Sequence, residues 1–123
     1  MQGYKDLIVW RKAVDLSVNV YSLTAQLPTS EKYGICSQMQ RAAVSIPSNI
    51  AEGSRRKSKK DFAHFLTIAF GSGAELETQI EILKKLPFAA RLEYSKIDSL
   101  LDEVMRMLNS MITYEASLLT TYY

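Results

Sequence analysis

Apolar residues recur along the chain in steps of three and four, which is the spacing of one face of an α-helix. This pattern occurs in four segments and predicts helices at about residues 7–27, 31–53, 59–86 and 96–119. The seam of the first segment consists of Val9, Ala13, Leu16, Val20, Leu23 and Leu27. The seam of the third consists of Phe62, Leu66, Ala69, Gly73, Leu76, Ile80 and Leu83. Strand-like alternation is poor, so the sequence predicts an all-α fold.

Helix-ending and helix-capping residues separate the four segments. Pro28 and Pro87 end the first and third helices, because the residue before a proline is pushed out of helical geometry. Gly53 is a natural end for the second helix, and Ser58 with Asp61 is typical of a cap at the start of the third. Because the connections are short, consecutive helices should lie antiparallel. We predict one domain spanning residues 1–123, an up-down-up-down four-helix bundle.

The second helix carries two further expectations. Thr29 or Ser30 is placed to cap its start near residue 31. Pro47 lies inside it and removes the amide that would otherwise donate to the carbonyl of Ala43. Since the apolar spacing continues past Pro47, we expect a kink there rather than a break.

Composition is that of an ordinary globular domain. The chain has 123 residues, of which 47% are hydrophobic and 23% are charged. No apolar run approaches the roughly 18 to 20 residues that span a bilayer, and the first residues lack the pattern of a signal peptide. Cys36 is the single cysteine, so an internal disulfide is impossible. We expect a cytoplasmic protein with no membrane partner.

Positive charge is concentrated between the second and third helices. The net charge is +2, whereas five positive charges fall within the six positions 55–60, so the rest of the chain is acidic overall. These five residues, called the basic turn below, are Arg55, Arg56, Lys57, Lys59 and Lys60. A projecting basic turn attracts phosphate backbones, but it can also be a solvated loop. Arg41 extends the strip only loosely, because it lies about three and a half to four turns away.

The apolar surface is wider than a monomeric bundle requires. Beside the main seams lie Trp10, Val14, Tyr21, Phe65 and Phe70, and the chain ends in Tyr122 and Tyr123. Aromatic residues outside a core are enriched at subunit interfaces, so these positions predict self-association. The alternative is that a wide stripe faces two neighbouring helices within one subunit.

Other candidate chemistries lack the residues they need. Gly71-Ser72-Gly73-Ala74 resembles a phosphate-binding loop, but it lies within a helical seam and no Lys-Ser or Lys-Thr follows. Four glutamates suggest a metal-binding bundle, but the single histidine, His64, is not part of a Glu-x-x-His motif. Those glutamates are Glu52, Glu75, Glu77 and Glu81. Cys36 fits a core position. We predict no catalytic residue, metal or cofactor.

Three stretches carry a resemblance to a known family. They are LIVWRKAVDLSVNVY, EKYGICSQMQRAAVSIPSNIAEGSRRKSKKDFAHFL and IAFGSGAELETQI, which together run from about Leu7 to Leu86. They resemble the small four-helix-bundle proteins encoded in intervening sequences of bacterial 23S ribosomal RNA genes, also labelled S23 ribosomal proteins. The chain has Gln40-Arg41-Ala42 where that family often has Arg-Arg-Ala, so one basic position differs.

This resemblance implies an assembly and a partner. It implies a ring of subunits, a homopentamer, that acts without catalysis. A related branch serves diversity-generating retroelements, where a basic surface engages reverse transcriptase and nucleic acid. Carried to this chain, that role falls on Arg41 and the basic turn, with Arg11 and Lys12 less securely placed. We therefore predict RNA binding through the basic turn, with a protein-only scaffold or accessory subunit as the alternative.

Overall fold

Four long helices form the protein. The computed structural model describes the backbone of residues 3–121 and the side chains of residues 3–117, so Tyr122 and Tyr123 lie outside the described residues. The helices are α1 (Ile8–Thr24), α2 (Ile35–Ser54), α3 (Lys59–Lys85) and α4 (Ser95–Thr121). Two short 3-10 helices, Gly3–Asp6 and Thr29–Glu31, precede α1 and α2. Residues 3–121 contain no strand, which confirms the all-α prediction.

Consecutive helices are antiparallel, and α1 also packs against α4 to close the bundle. Side-chain contacts show the directions. Near the middle of α1, Ser17 donates to the carbonyl oxygen of Ala43 on α2 at 3.0 Å, while Thr24 near its end accepts from Gln40 at 3.1 Å. The other neighbouring pairs are joined by Ser45 to Ser72 at 2.8 Å, Lys84 to Asp98 at 2.7 Å and Lys12 to Glu103 at 2.8 Å. The predicted four-helix bundle is confirmed.

The predicted seams form the core. Every residue named for the seam of α1 is buried, and so are six of the seven named for α3, which are Leu66, Ala69, Gly73, Leu76, Ile80 and Leu83. The seventh, Phe62, is only half-buried at the start of that helix. Burial of these apolar side chains supplies the main driving force for folding, at roughly 25 cal/mol per Å² removed from water.

Pro47 lies inside α2, which continues through it to Ser54. The carbonyl oxygen of Ala43 loses its usual intrahelical donor, because proline has no amide hydrogen. The hydroxyl of Ser17 replaces that donor from α1, at 3.0 Å, and also contacts the carbonyl of Ala13 at 3.0 Å. A buried serine on one helix therefore compensates for a proline in its neighbour.

This compensation gives a testable coupling. Replacing Ser17 by alanine should lower the free energy of unfolding by about 1–3 kcal/mol, because the buried carbonyl of Ala43 loses its donor. In a Pro47→Ala background the restored amide can donate to Ala43, so the same Ser17→Ala change should cost much less. Urea denaturation of the four proteins in this double-mutant cycle measures the coupling. Equal costs in both backgrounds would contradict the compensation.

The start of the second helix was predicted four residues too early. Thr29–Glu31 forms a 3-10 turn, and α2 begins only at Ile35. Gly34 is the reason: its backbone angles, φ −104° and ψ −116°, are not helical and interrupt the continuation. Thr29 and Ser30 therefore do not cap α2. The first helix is also shorter than predicted, because Gln26 and Leu27 donate to carbonyls three residues back in a tightened final turn.

Candidate nucleic-acid interface

The basic turn is a short, well-bonded connection. Only residues 55–58 separate α2 from α3. The amide of Arg56 donates to the carbonyl of Gly53 at 3.1 Å, and the hydroxyl of Ser58 accepts from the amide of Asp61 at 3.1 Å. The predicted cap at Ser58 is therefore confirmed. These bonds fix where the basic side chains leave the backbone.

Gly53 brings α2 and α3 close together at this end. A Cβ atom added to Gly53 would lie 2.6 Å from the Cβ of Phe65 and 3.1 Å from Cδ1 of Phe62. The sequence suggested that the helix ends at this glycine, but α2 continues through Ser54. The absence of a side chain at Gly53 instead allows Phe62 and Phe65 to pack against the backbone of α2.

Both arginines of the turn have partners within the chain. Arg56 pairs with Glu52 at 2.9 Å and lies over the ring of Phe65, 4.9 Å from its centre. Arg55 lies over the ring of Tyr4 at 5.3 Å, and Tyr4 in turn packs edge-on against Trp10 with ring centres 5.3 Å apart. Cation–π contacts of this kind hold a guanidinium in place without removing its charge. Tyr4 was not predicted to take part in the site.

The three lysines differ from the arginines. Lys57, Lys59 and Lys60 are all exposed. Within residues 3–117, no acidic side chain forms an ion pair with any of them. Their charge is therefore not offset by an acidic side chain within the described part of this subunit.

The other predicted basic residues do not join this cluster. Arg41 lies about 21 Å from Arg55 along α2, at 1.5 Å per residue, and lines a groove that also contains Ser72 and Glu75. Lys12 pairs with Glu103 on α4, and Arg11 contacts Asp6 at 3.4 Å. The structure thus brings together five of the six predicted nucleic-acid-binding residues and leaves Arg41 separate.

The predicted interface residues divide into two groups. Trp10, Val14 and Tyr21 lie on one flank of α1, where Val18 and Tyr21 are 60% and 50% exposed. Tyr21 shares a shallow groove with Val44 of α2, which is 41% exposed. We call Val18, Tyr21 and Val44 the apolar patch.

Phe65 and Phe70 do not extend this patch. They are about 140° apart around α3, given about 100° per residue, so they occupy different flanks of that helix. Phe65 packs beside Gly53, and Phe70 packs against the core. Both side chains are half-buried, but because they lie on different flanks of α3 they do not form one continuous surface.

Residues with reactive side chains are dispersed. In the described part of the chain, no group of three or more His, Cys, Asp and Glu residues is arranged to hold a metal ion. Cys36 is buried, and that burial raises the pKa of its thiol, with Glu31 adding to the effect. None of the helices within residues 3–121 has the length and apolar character required to cross a membrane.

Comparisons with known proteins agree with this architecture. Residues 5–110 match the model of a family described as 23S rRNA-intervening sequence protein. A crystal structure of a protein with unknown function from the S23 ribosomal protein family of Bacteroides thetaiotaomicron VPI-5482 is 26% identical, with a TM-score of 0.75. The match covers 85% of this chain and 98% of that one. Among curated proteins, none is significantly similar to the chain.

Proposed function

The chain belongs to the 23S rRNA-intervening sequence protein family, and on that basis we propose that it is a non-enzymatic, self-associating bundle that binds RNA through its basic turn. The observation that carries this proposal is the set of three exposed lysines, Lys57, Lys59 and Lys60, with no ion pair in the described part of the chain. RNA backbones bind such charge because binding releases their condensed counterions. Arg55 and Arg56 add charge from fixed positions beside the lysines.

The self-association that we also propose would strengthen RNA binding. One turn with five positive charges binds RNA weakly, whereas a ring of subunits presents several turns to one RNA molecule. Each further contact then forms at a high effective concentration. We propose a homopentameric ring, as the resemblance to the family implies, with the apolar patch at the contact between subunits.

A glutamate in the apolar patch should separate the subunits. Val18→Glu places a charge on an exposed position, so folding should be little affected while burial against a second subunit becomes costly. Light scattering coupled to size exclusion should give the mass of five chains for the wild type and a smaller mass for the variant. Ile82→Glu is the matched control, because Ile82 is 48% exposed on α3 and lies outside the patch. A monomeric wild type would reject self-association.

A protein-only scaffold or accessory subunit, for example of a reverse transcriptase, is the second candidate. The apolar patch supports it, because an exposed apolar surface can bind an unrelated protein as well as a second copy. The two candidates differ in their response to RNA. Fluorescence anisotropy with labelled fragments of 23S ribosomal RNA should show binding that weakens steeply with salt. RNA binding that is undetectable at low salt would favour the scaffold.

A further inference from the structure

A cavity of about 410 Å³ opens beside the basic turn. It lies where the first 3-10 helix and the ends of α2 and α4 meet the start of α3. The lining residues used below are Arg56, Lys57, Ser58, Lys59, Phe62 and Glu115. Its volume falls within the roughly 300–1,000 Å³ typical of small-molecule sites.

Glu115 is the unusual member of this lining. Its side chain is only 8% exposed, and its Oε2 atom has no hydrogen-bond partner among the described residues. A covered carboxylate oxygen without a donor is costly, because it has lost its contact with water and gained no hydrogen bond in return. Glu115 is itself one of the residues that line the cavity, and the torsion that orients a carboxylate is broad. The carboxylate is therefore an unsatisfied acceptor beside an open space.

Other residues of the same lining favour an anion. Lys57 and Lys59 line it with no ion pair in the described residues, and the N-terminus of α3 adds the partial positive charge of its first amides. Ser58 already satisfies the amide of Asp61, whereas the amides of the first two helical residues have no partner within the helix. Phe62 supplies an aromatic ring to the same cavity.

We propose that this cavity holds one unpaired nucleotide of a single-stranded RNA segment. The inference rests on the proposed function and specifies its ligand. Lys57, Lys59 and the start of α3 hold the phosphate, while Glu115 accepts a hydrogen bond from an N–H group of the base. Phe62 offers a surface for the base to stack on, as aromatic residues commonly do in single-strand recognition.

The carboxylate also determines which base is favoured. Glu115 can only accept hydrogen bonds when ionised, so it selects bases with donors on their pairing edge. Guanine presents two adjacent N–H donors there, whereas the single N–H of uracil lies between two carbonyl oxygens that repel a carboxylate. Guanine should therefore bind about tenfold more tightly than uracil, which is within the discrimination of one good bidentate contact.

Short oligouridylates that differ only at the central base test this selectivity. Fluorescence anisotropy should show the central-guanine oligonucleotide binding about tenfold more tightly than the all-uridine one. Glu115→Gln keeps the size of the side chain but replaces one acceptor by a donor, so most of this preference should disappear. The dependence on salt should stay unchanged, because the lysines remain. Glu77→Gln is the matched control, since Glu77 is exposed and lies at the α3–α4 groove away from the basic turn.

The outcomes separate this inference from the proposed function. If Glu115→Gln retains the full preference for guanine, or strengthens binding to both oligonucleotides equally, the base-binding role is wrong while RNA binding by the turn stands. If the wild type binds none of the oligonucleotides and no RNA fragment, the proposed function and this inference both fall. Thermal melting of both variants checks that each is folded.

Discussion

Replacing Lys57, Lys59 and Lys60 together by alanine is expected to reduce the slope of log affinity against log salt by about two units, since each contact with a single-stranded phosphate contributes about 0.7. A difference of that size corresponds to about a hundredfold in RNA affinity over one decade of salt concentration. The expectation follows from the structure, because these three side chains are exposed and lack ion pairs within the described residues. Fluorescence anisotropy over a salt series measures it.

A second set of three lysines provides the matched control. Lys32, Lys85 and Lys96 lie before α2, at the end of α3 and at the start of α4, which is the opposite end of the bundle. Replacing these lysines by alanine changes the net charge by the same amount but leaves the basic turn intact. Equal losses in the two triple variants would mean that RNA responds to the overall charge and not to the turn.

Arg55 and Arg56 should contribute less to the salt slope than the lysines. Arg56 already pairs with Glu52, and Arg55 lies over Tyr4. Their replacement is therefore expected to weaken binding partly by loosening the packing of the turn, which a change in thermal stability would reveal.

Gly53→Ala is expected to destabilise the protein by about 1–3 kcal/mol, the usual cost of overpacking. The added Cβ would lie 2.6 Å from the Cβ of Phe65, an atom attached directly to the backbone of α3. Such an atom cannot move aside as the end of a flexible side chain can, so the two helices must shift apart. This cost opposes the gain of about 1 kcal/mol that alanine normally brings to a helix interior.

Gly71→Ala should raise the free energy of unfolding, whereas Gly53→Ala lowers it. Gly71 also lies within a helix, but a Cβ there would meet no atom within 4 Å, so the helical preference of alanine should stabilise the protein by up to about 1 kcal/mol. Urea denaturation of both variants gives the comparison. Equal stabilisation by the two substitutions would show that α2 and α3 do not approach closely at Gly53.

The sequence predicted the fold correctly where the spacing of apolar residues alone determines which side chains are buried. The seams of α1 and α3 were predicted because apolar residues at helical spacing must face a common core. The predicted start of α2 was wrong because the backbone of Gly34 is not helical, so Thr29 and Ser30 cannot cap this helix. The bond from Ser17 to Ala43 was missed, since it joins residues 26 positions apart and depends on the packing of α1 against α2.

The candidate site was predictable in its charge but not in its neighbours. The basic turn is contiguous in sequence, so its five charges had to lie together. Tyr4 reaches it because the first 3-10 helix packs against α2, and Glu115 reaches it from α4, near the other end of the chain. One signal could have pointed to Glu115. Apolar residues recur in α4 in steps of three and four up to Leu108 and Met111, and Glu115 is the next position in that series, where the spacing predicts a buried residue. Arg41 was assigned by charge and resemblance, and lies too far along α2 to join the turn.

Acylation of lysines in the purified protein, followed by mass spectrometry with and without RNA, tests the central claim most directly. Lys57, Lys59 and Lys60 should react readily in the absence of RNA and become protected when RNA is added, while Lys32, Lys85 and Lys96 react equally in both samples. If the three lysines of the turn are already protected without RNA, neighbouring subunits cover them and the basic turn does not face an external anion.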